Sequence, residues 1–266
     1  VTGEADAESA VAAEEGDAES VPSADEGDAD PADDTDTAAA DGPPSEALAR
    51  AIDAFRAGDP VLIHDFDDRE GETDIVYPAG AVAPADVARL RNDAGGLVCV
   101  ALSDGVAEAF GLPFLDETID HPSAANHDLA YDSRSSFSLP VNHRGTFTGV
   151  TDEDRALTIA ELAAAADAVD GDGGDGYDAS DFAAEFRSPG HVNLLRAAPG
   201  LLADRRGHTE LGLALADAAG LPPAVVVCEM LDDETGKALP KGAARAYARR
   251  HGLVYLEGGR LVDELA

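Results

Sequence analysis

The residues that could do chemistry are most concentrated between two short apolar runs, Val61-Leu62-Ile63 and Ile75-Val76-Tyr77. There Glu70, Glu72 and Asp74, with Asp68 beside them, set four carboxylates around Arg69. Such charge between two expected strands is costly to desolvate unless something binds to it. A hard divalent cation selects carboxylate oxygens. The planar fork of Arg69 suits a phosphate or a carboxylate.

Three other segments carry groups of the same kind. Arg205-Arg206-Gly207-His208-Thr209-Glu210 stands just before an expected helix. Free backbone N–H groups, two guanidiniums and a hydroxyl together make an anion site there. Gly207 would let the backbone approach a ligand closely. His208 could donate a hydrogen bond or, when neutral, ligate a metal. The competing reading makes Thr209 a plain helix N-cap and leaves the arginines in solvent. Cys228-Glu229-Met230 ends the most strand-like run, and Glu229 is its one carboxylate. It is either partly exposed at a sheet edge or, with a raised pKa, a general acid or base. In Ser188-Pro189-Gly190-His191-Val192, His191 taken alone is one of seven ordinary histidines. Cys99 and Cys228 each lie in an apolar run and read as small buried residues.

The elements that must position these groups follow from periodicity. Leu48, Ile52 and Phe55 predict a helix that Gly58 can end. Strands are expected at 61–64, 75–77, 97–102, 136–141, 189–196, 225–231 and 253–256. Helices are expected at 84–93, from a cap at Thr151 to about Val169, at 209–219 before Gly220, and at 241–250. Irregular alternation of the two types predicts an α+β fold, a mixed β-sheet flanked by helices. Residues 1–44 are low-complexity Ala, Asp, Glu, Gly, Ser and Pro, expected to be a disordered acidic tail. One domain is expected over 45–266, with an acidic glycine-rich loop insert at 170–181. That loop begins like a calcium site but lacks the closing Glu at the twelfth position.

Composition excludes several classes of function. The chain has 54 acidic and 18 basic residues, a formal net charge of −36. Nucleic acid is not an expected partner, because backbone binding needs a basic face. The only lysines are Lys237 and Lys241. Two cysteines in strand-like settings argue against a disulfide framework or a zinc ribbon. No apolar run is long enough to cross a membrane, and the acidic N-terminus is unlike a secretory signal. The expected setting is a cytoplasm, and one of high salt.

Taken together, the motifs resemble the 3,4-dihydroxy-2-butanone 4-phosphate synthase family of riboflavin biosynthesis. The matching stretches are Asp68-Arg69-Glu70-Gly71-Glu72-Thr73-Asp74, Gly96-Leu97-Val98-Cys99, Thr148-Gly149-Val150, Asp154-Arg155-Ala156, Pro189-Gly190-His191, Arg205 to Glu210 and Cys228-Glu229-Met230. They occur in the family's order, and the Gly-Glu-Thr-Asp form resembles its archaeal branch. The resemblance implies conversion of D-ribulose 5-phosphate to formate and L-3,4-dihydroxy-2-butanone 4-phosphate, with Mg²⁺ or Mn²⁺. It implies Glu70 and His208 as metal ligands, and His191 and Glu229 as catalytic residues. Arg69, Glu70, Asp74, Arg205, Arg206, Gly207, His208, Thr209 and Glu229 would contact substrate. Arg206 departs from the small residue the family has there. A homodimer with active sites near the subunit interface is implied too. Two rival readings are a nucleotide-binding protein of the YrdC type and a non-catalytic acidic binding protein of the same fold.

The charge generates a prediction of its own. Residues 47–266 alone carry a net −20. Their mutual repulsion reaches about 30 Å at 0.01 M salt but only about 3 Å at 1 M. Folding concentrates these charges, so screening should favour the folded state. The thermal midpoint is expected to rise steeply from dilute buffer to molar KCl. A midpoint that stays flat or falls would reject the high-salt setting.

Overall fold

The computed structural model describes residues 45–124, 129, 132, 134–170 and 176–266. The expected tail, 1–44, and positions 171–175 of the expected loop lie outside them. Helix α1 (Glu46–Ala57) opens on Ser45, whose hydroxyl accepts from the Leu48 N–H, and closes on Gly58 in the left-handed region. Its buried stripe is Leu48, Ala51 and Phe55. Strands β1 (Val61–His64) and β2 (Thr73–Pro78) then form an antiparallel pair, with His64 opposite Thr73. The acidic motif is therefore the connection of a β-hairpin.

Helix α2 (Pro84–Asp93), strand β3 (Cys99–Leu102) and the short helices α3 (Asp104–Ala109) and α4 (Leu115–Thr118) follow. Next come β4 (Phe137–His143), α5 (Asp152–Asp170), α6 (Ala179–Glu185) and β5 (Phe186–Arg196). The chain finishes with α7 (His208–Ala219), β6 (Ala224–Glu229), α8 (Lys241–His251), β7 (Val254–Glu257) and α9 (Gly258–Leu265). Among the described residues, seven strands make one sheet in the order β4-β5-β3-β6-β2-β1-β7. Pairs β1–β7 and β3–β5 are parallel, and the others are antiparallel. The mixed α+β fold expected from the sequence is the one observed.

Helices cover both faces of this sheet, so its central strands are buried on both sides and read as unbroken apolar runs. On one face Ile75, Tyr77, Val100 and Val226 pack with Leu90 of α2, Ile159 and Leu162 of α5 and Tyr247 of α8. On the other, Val76, Cys99, Val225 and Val227 pack with Phe55 of α1, Leu211 and Leu215 of α7 and Leu261 of α9. Helix α7 is buried almost throughout its length. Both cysteines are free and buried, as the apolar runs around them predict.

Several expectations shift in detail. Strand β3 starts at Cys99 and leaves Leu97 exposed, because the Gly95 N–H turns to donate to the Glu229 carbonyl. Strand β5 begins at Phe186, three residues before the expected entry at Pro189. The acidic loop is shorter than 170–181: α5 runs through Asp170, and Asp178 caps α6. Thr209 is not an N-cap. The helix starts at His208, Gly207 holds the cap position, and Thr209 is buried in the first turn.

Candidate active site

The hairpin connection folds around one carboxylate, Asp65. Its side chain is fully buried. Oδ1 accepts from the Glu72 N–H at 2.9 Å, and Oδ2 from the Glu70 N–H at 3.2 Å and Arg69 Nη1 at 3.1 Å. These bonds draw the loop into a tight turn with Glu70 pointing at α7. His64 stiffens its base, with Nδ1 3.0 Å from the Thr73 hydroxyl and Nε2 3.0 Å from Asp67.

The second contribution comes from the first turn of α7. Its near-total burial against the sheet fixes the direction of His208. His208 Nδ1 lies 3.4 Å from Glu70 Oε2, and Nε2 lies 3.5 Å from Asp74 Oδ1. The third comes from sheet register, which sets Asp74 opposite Glu229 at the end of the β2–β6 ladder. Strand alternation puts both carboxylates on the face that carries Val76 and Val227, the face α7 covers.

Burial and charge then set the protonation states. Burial opposes the charge of His208, but the Asp74, Glu70 and Asp65 carboxylates outweigh it and raise the imidazole to about 9. Burial holds Asp74 well above the usual carboxylate range, and it raises Glu229 and Glu72 as well. Glu70 goes the other way: burial is overcome by His208 and Arg69, which keep it low. The site thus pairs a carboxylate held ionised, Glu70, with three held toward the neutral acid, the separation that acid–base work requires.

A divalent cation fits these residues. Ligand atoms of Asp65, Glu70 and His208 lie within 4.8 Å of one another. His208 Nε2 and Asp74 Oδ1 are buried with no hydrogen-bond partner among the described residues. Two orphaned polar atoms beside a carboxylate–imidazole cluster call for a bound group.

Arg69, Glu70, Asp74, His208, Thr209 and Glu229 line one cavity of about 500 Å³. Arg205 and Cys99 line it too, with burial keeping the Cys99 thiol protonated. Gly207 stands behind it. A methyl group there would come within 2.9 Å of the Arg69 guanidinium and closer to that of Arg205. Its small size thus makes room for two side chains as well as for a ligand. Arg206 is turned away. It is exposed, stacks over Phe66 at 4.7 Å, and borders a separate polar cavity of about 380 Å³. His191 is not among the lining residues of the main cavity. It is exposed on β5, and its Nδ1 lies 3.1 Å from Asn142 Nδ2.

Sequence reasoning passed over three carboxylates. Asp65 was legible in principle, as the first residue after an apolar strand beside an acidic turn. Glu210 is fully buried, pairs with Arg205 at 2.7 Å and accepts from the Ala198 N–H. Asp132 bridges Arg69 and Arg205, at 2.8 and 2.6 Å, from more than 60 residues away, which no local pattern announces.

Known proteins resemble this chain over most of its length. The family model described as 3,4-dihydroxy-2-butanone 4-phosphate synthase matches residues 49–264. An enzyme of that name from Archaeoglobus fulgidus is 51% identical over 222 residues, 80% of this chain and 91% of the relative. Among solved structures, a 3,4-dihydroxy-2-butanone 4-phosphate synthase in complex with two magnesium ions aligns at a TM-score of 0.67. It is 29% identical, over 80% of this chain and 94% of that one. A two-domain synthase from A. baumannii also aligns at 0.67 with 30% identity, over 80% of this chain, which spans 56% of that longer protein. The chain belongs to the 3,4-dihydroxy-2-butanone 4-phosphate synthase family.

Proposed function

We propose that this chain converts D-ribulose 5-phosphate to formate and L-3,4-dihydroxy-2-butanone 4-phosphate, for riboflavin biosynthesis, with Mg²⁺ as its cofactor and Mn²⁺ as a substitute. The observation that carries the reading is the convergence of Glu70, His208, Asp74 and Glu229 on one cavity of about 500 Å³. Carboxylates in one cavity whose protonation is pushed in opposite directions favour a catalytic site over a nucleotide-binding or non-catalytic one.

Asp65, Glu70 and His208 would hold the cation. When bound, it would polarise the sugar oxygens and stabilise the negative charge that develops on them. Glu229, whose carboxyl burial raises above the usual carboxylate range, takes and returns protons at the carbons next to the carbonyl. Asp74 faces it across the ladder and serves as a second acid. Thr209, in the first turn of α7, and Arg205, just before that helix, face the phosphate.

Formate release from ribulose 5-phosphate, measured with and without Mg²⁺, tests the reading. Release is expected only with the cation, and Glu229→Gln should slow it by at least about 10²-fold while the fold persists. A variant that keeps most of its turnover would remove Glu229 from the mechanism.

His208 sets a pH dependence. With its pKa at about 9, the imidazole is protonated at neutral pH and must shed that proton to ligate a cation. Apparent Mg²⁺ affinity should therefore rise about tenfold per pH unit up to that value and level off above it. The window lies higher than an unperturbed histidine would give. Calorimetry in buffers of different ionisation enthalpy should show close to one proton released per cation at pH 7. Release of none would remove His208 from the ligand set.

His191 finds its role in a homodimer. The β3–β5 register, Cys99 opposite Asn193, puts His191 at the same end of the sheet as Glu229 but two strands away, on β5. Near a subunit interface it would complete the partner's site. An equal mixture of the inactive variants His191→Ala and Glu229→Gln, allowed to exchange subunits, should then recover about a quarter of the wild-type rate, because each mixed dimer regains one intact site. No recovery would confine His191 to its own chain.

A further inference from the structure

A cavity that takes a phosphate dianion needs positive charge to spare, and Arg69 and Arg205, the two arginines singled out by the sequence that line it, have little. Arg69 Nη1 lies 3.1 Å from Asp65 and 3.0 Å from Glu70, and Nη2 lies 2.8 Å from Asp132. Arg205 lies 2.6 Å from Asp132 and 2.7 Å from Glu210. Four carboxylates thus face two guanidiniums.

A third guanidinium lines the same cavity. Arg134 stands just before β4, and its Cζ lies 3.7 Å from the centre of the Phe114 ring. It forms no salt bridge among the described residues. The ring beneath it is a fixed platform: Phe114 is 7% exposed, and a second arginine, Arg196, lies 5.1 Å from its centre. Arg196 is itself anchored, 2.7 Å from Asp104 and 2.9 Å from the Leu112 carbonyl. A guanidinium stacked on an aromatic face keeps its in-plane N–H groups for an acceptor, and the stack orients them in advance. Asp116 borders the same cavity, with a buried Oδ1 that lacks a donor among the described residues. A guanidinium with N–H groups to donate and a carboxylate oxygen without a donor, both on the wall of one cavity, suit a phosphate ester that carries hydroxyls.

We infer that Arg134 is a substrate-binding residue, holding the phosphate of the ketose phosphate at the outer wall of the cavity and favouring phosphorylated over unphosphorylated sugars. This rests on the proposed reaction for the identity of the substrate, and on the geometry alone for the anion site.

The experiment compares wild type, Arg134→Gln and Arg134→Lys at one fixed KCl concentration. Calorimetry measures the Kd of inorganic phosphate, and formate release gives kcat and KM. Arg134→Gln should weaken phosphate binding and raise KM by about tenfold to hundredfold, the range for a lost charge-assisted bond. Its kcat and Mg²⁺ titration should stay close to wild type. Arg134→Lys should recover most of the phosphate affinity, because it restores the charge without the flat stack. Unchanged phosphate binding in Arg134→Gln overturns the assignment. So does an equal loss in both variants, which would mean that packing on Phe114 matters and charge does not. Phosphate binding is read without turnover. If wild type binds phosphate, loses it in Arg134→Gln and yet releases no formate, the reaction is wrong and the anion site stands.

Discussion

Two acids face each other across a β-ladder, and much of the molecule is arranged around that fact. Asp74 and Glu229 are directly opposed in register, on a sheet face closed over by α7. Like charges in such a pair repel, and burial removes the water that would soften the repulsion. The relief comes from His208, whose Nε2 approaches Asp74 to 3.5 Å, and from a shift of both acids toward the neutral form. Carboxyls held toward the neutral form close to the ionised Glu70 can serve as acids and bases. The repulsion at the ladder end and the reactivity of the site therefore have one cause.

The apolar framework makes that arrangement possible. Helix α7 is pressed onto the sheet by Leu211 and Leu215 against Val76 and Val225, so His208 cannot swing away from the acids. The hairpin loop could move, having no such core, and Asp65 holds it by accepting two backbone N–H groups and an arginine N–H. A buried carboxylate that satisfies three donors is stable where an unpaired one would not be. Glu70 is carried into place by this hub and remains ionised because Arg69 and His208 flank it.

The sequence made legible whatever is local. Strand runs such as Val61–His64, helix stripes such as Leu48 and Phe55, and the contiguous acidic and Arg-Arg-Gly-His-Thr motifs all depend on near neighbours. Short elements were missed: α3, α4, α6 and α9 span four to eight residues, too few for a periodicity to declare itself. Thr209 was read as a possible cap because its type suits one, but the tertiary burial of α7 draws the helix start back to His208. Arg206 was grouped with Arg205 by adjacency, yet successive residues entering a helix point in different directions, and only Arg205 faces the cavity. Asp132 and Arg134 lie in a stretch without periodicity, and only the folded chain brings them beside Arg69, Arg205 and Phe114.

The charge of the whole and the charge of the site pull in opposite directions. A domain with a net −20 repels an anionic substrate at long range, and salt weakens that repulsion because exposed charges are screened. Attraction has to be supplied at contact distance, inside the cavity, where screening is weak and each bond is stronger. Arginine serves this better than lysine: its charge survives burial, and its flat fork can be fixed by stacking or by paired carboxylates. Of the two lysines, Lys241 bonds to Asp67 and Glu257 at the outer base of the hairpin. The arginines around the cavity are instead buried in networks or stacked on a ring. An acidic exterior can therefore coexist with anion binding, provided the cations that matter are few, desolvated and held rigidly.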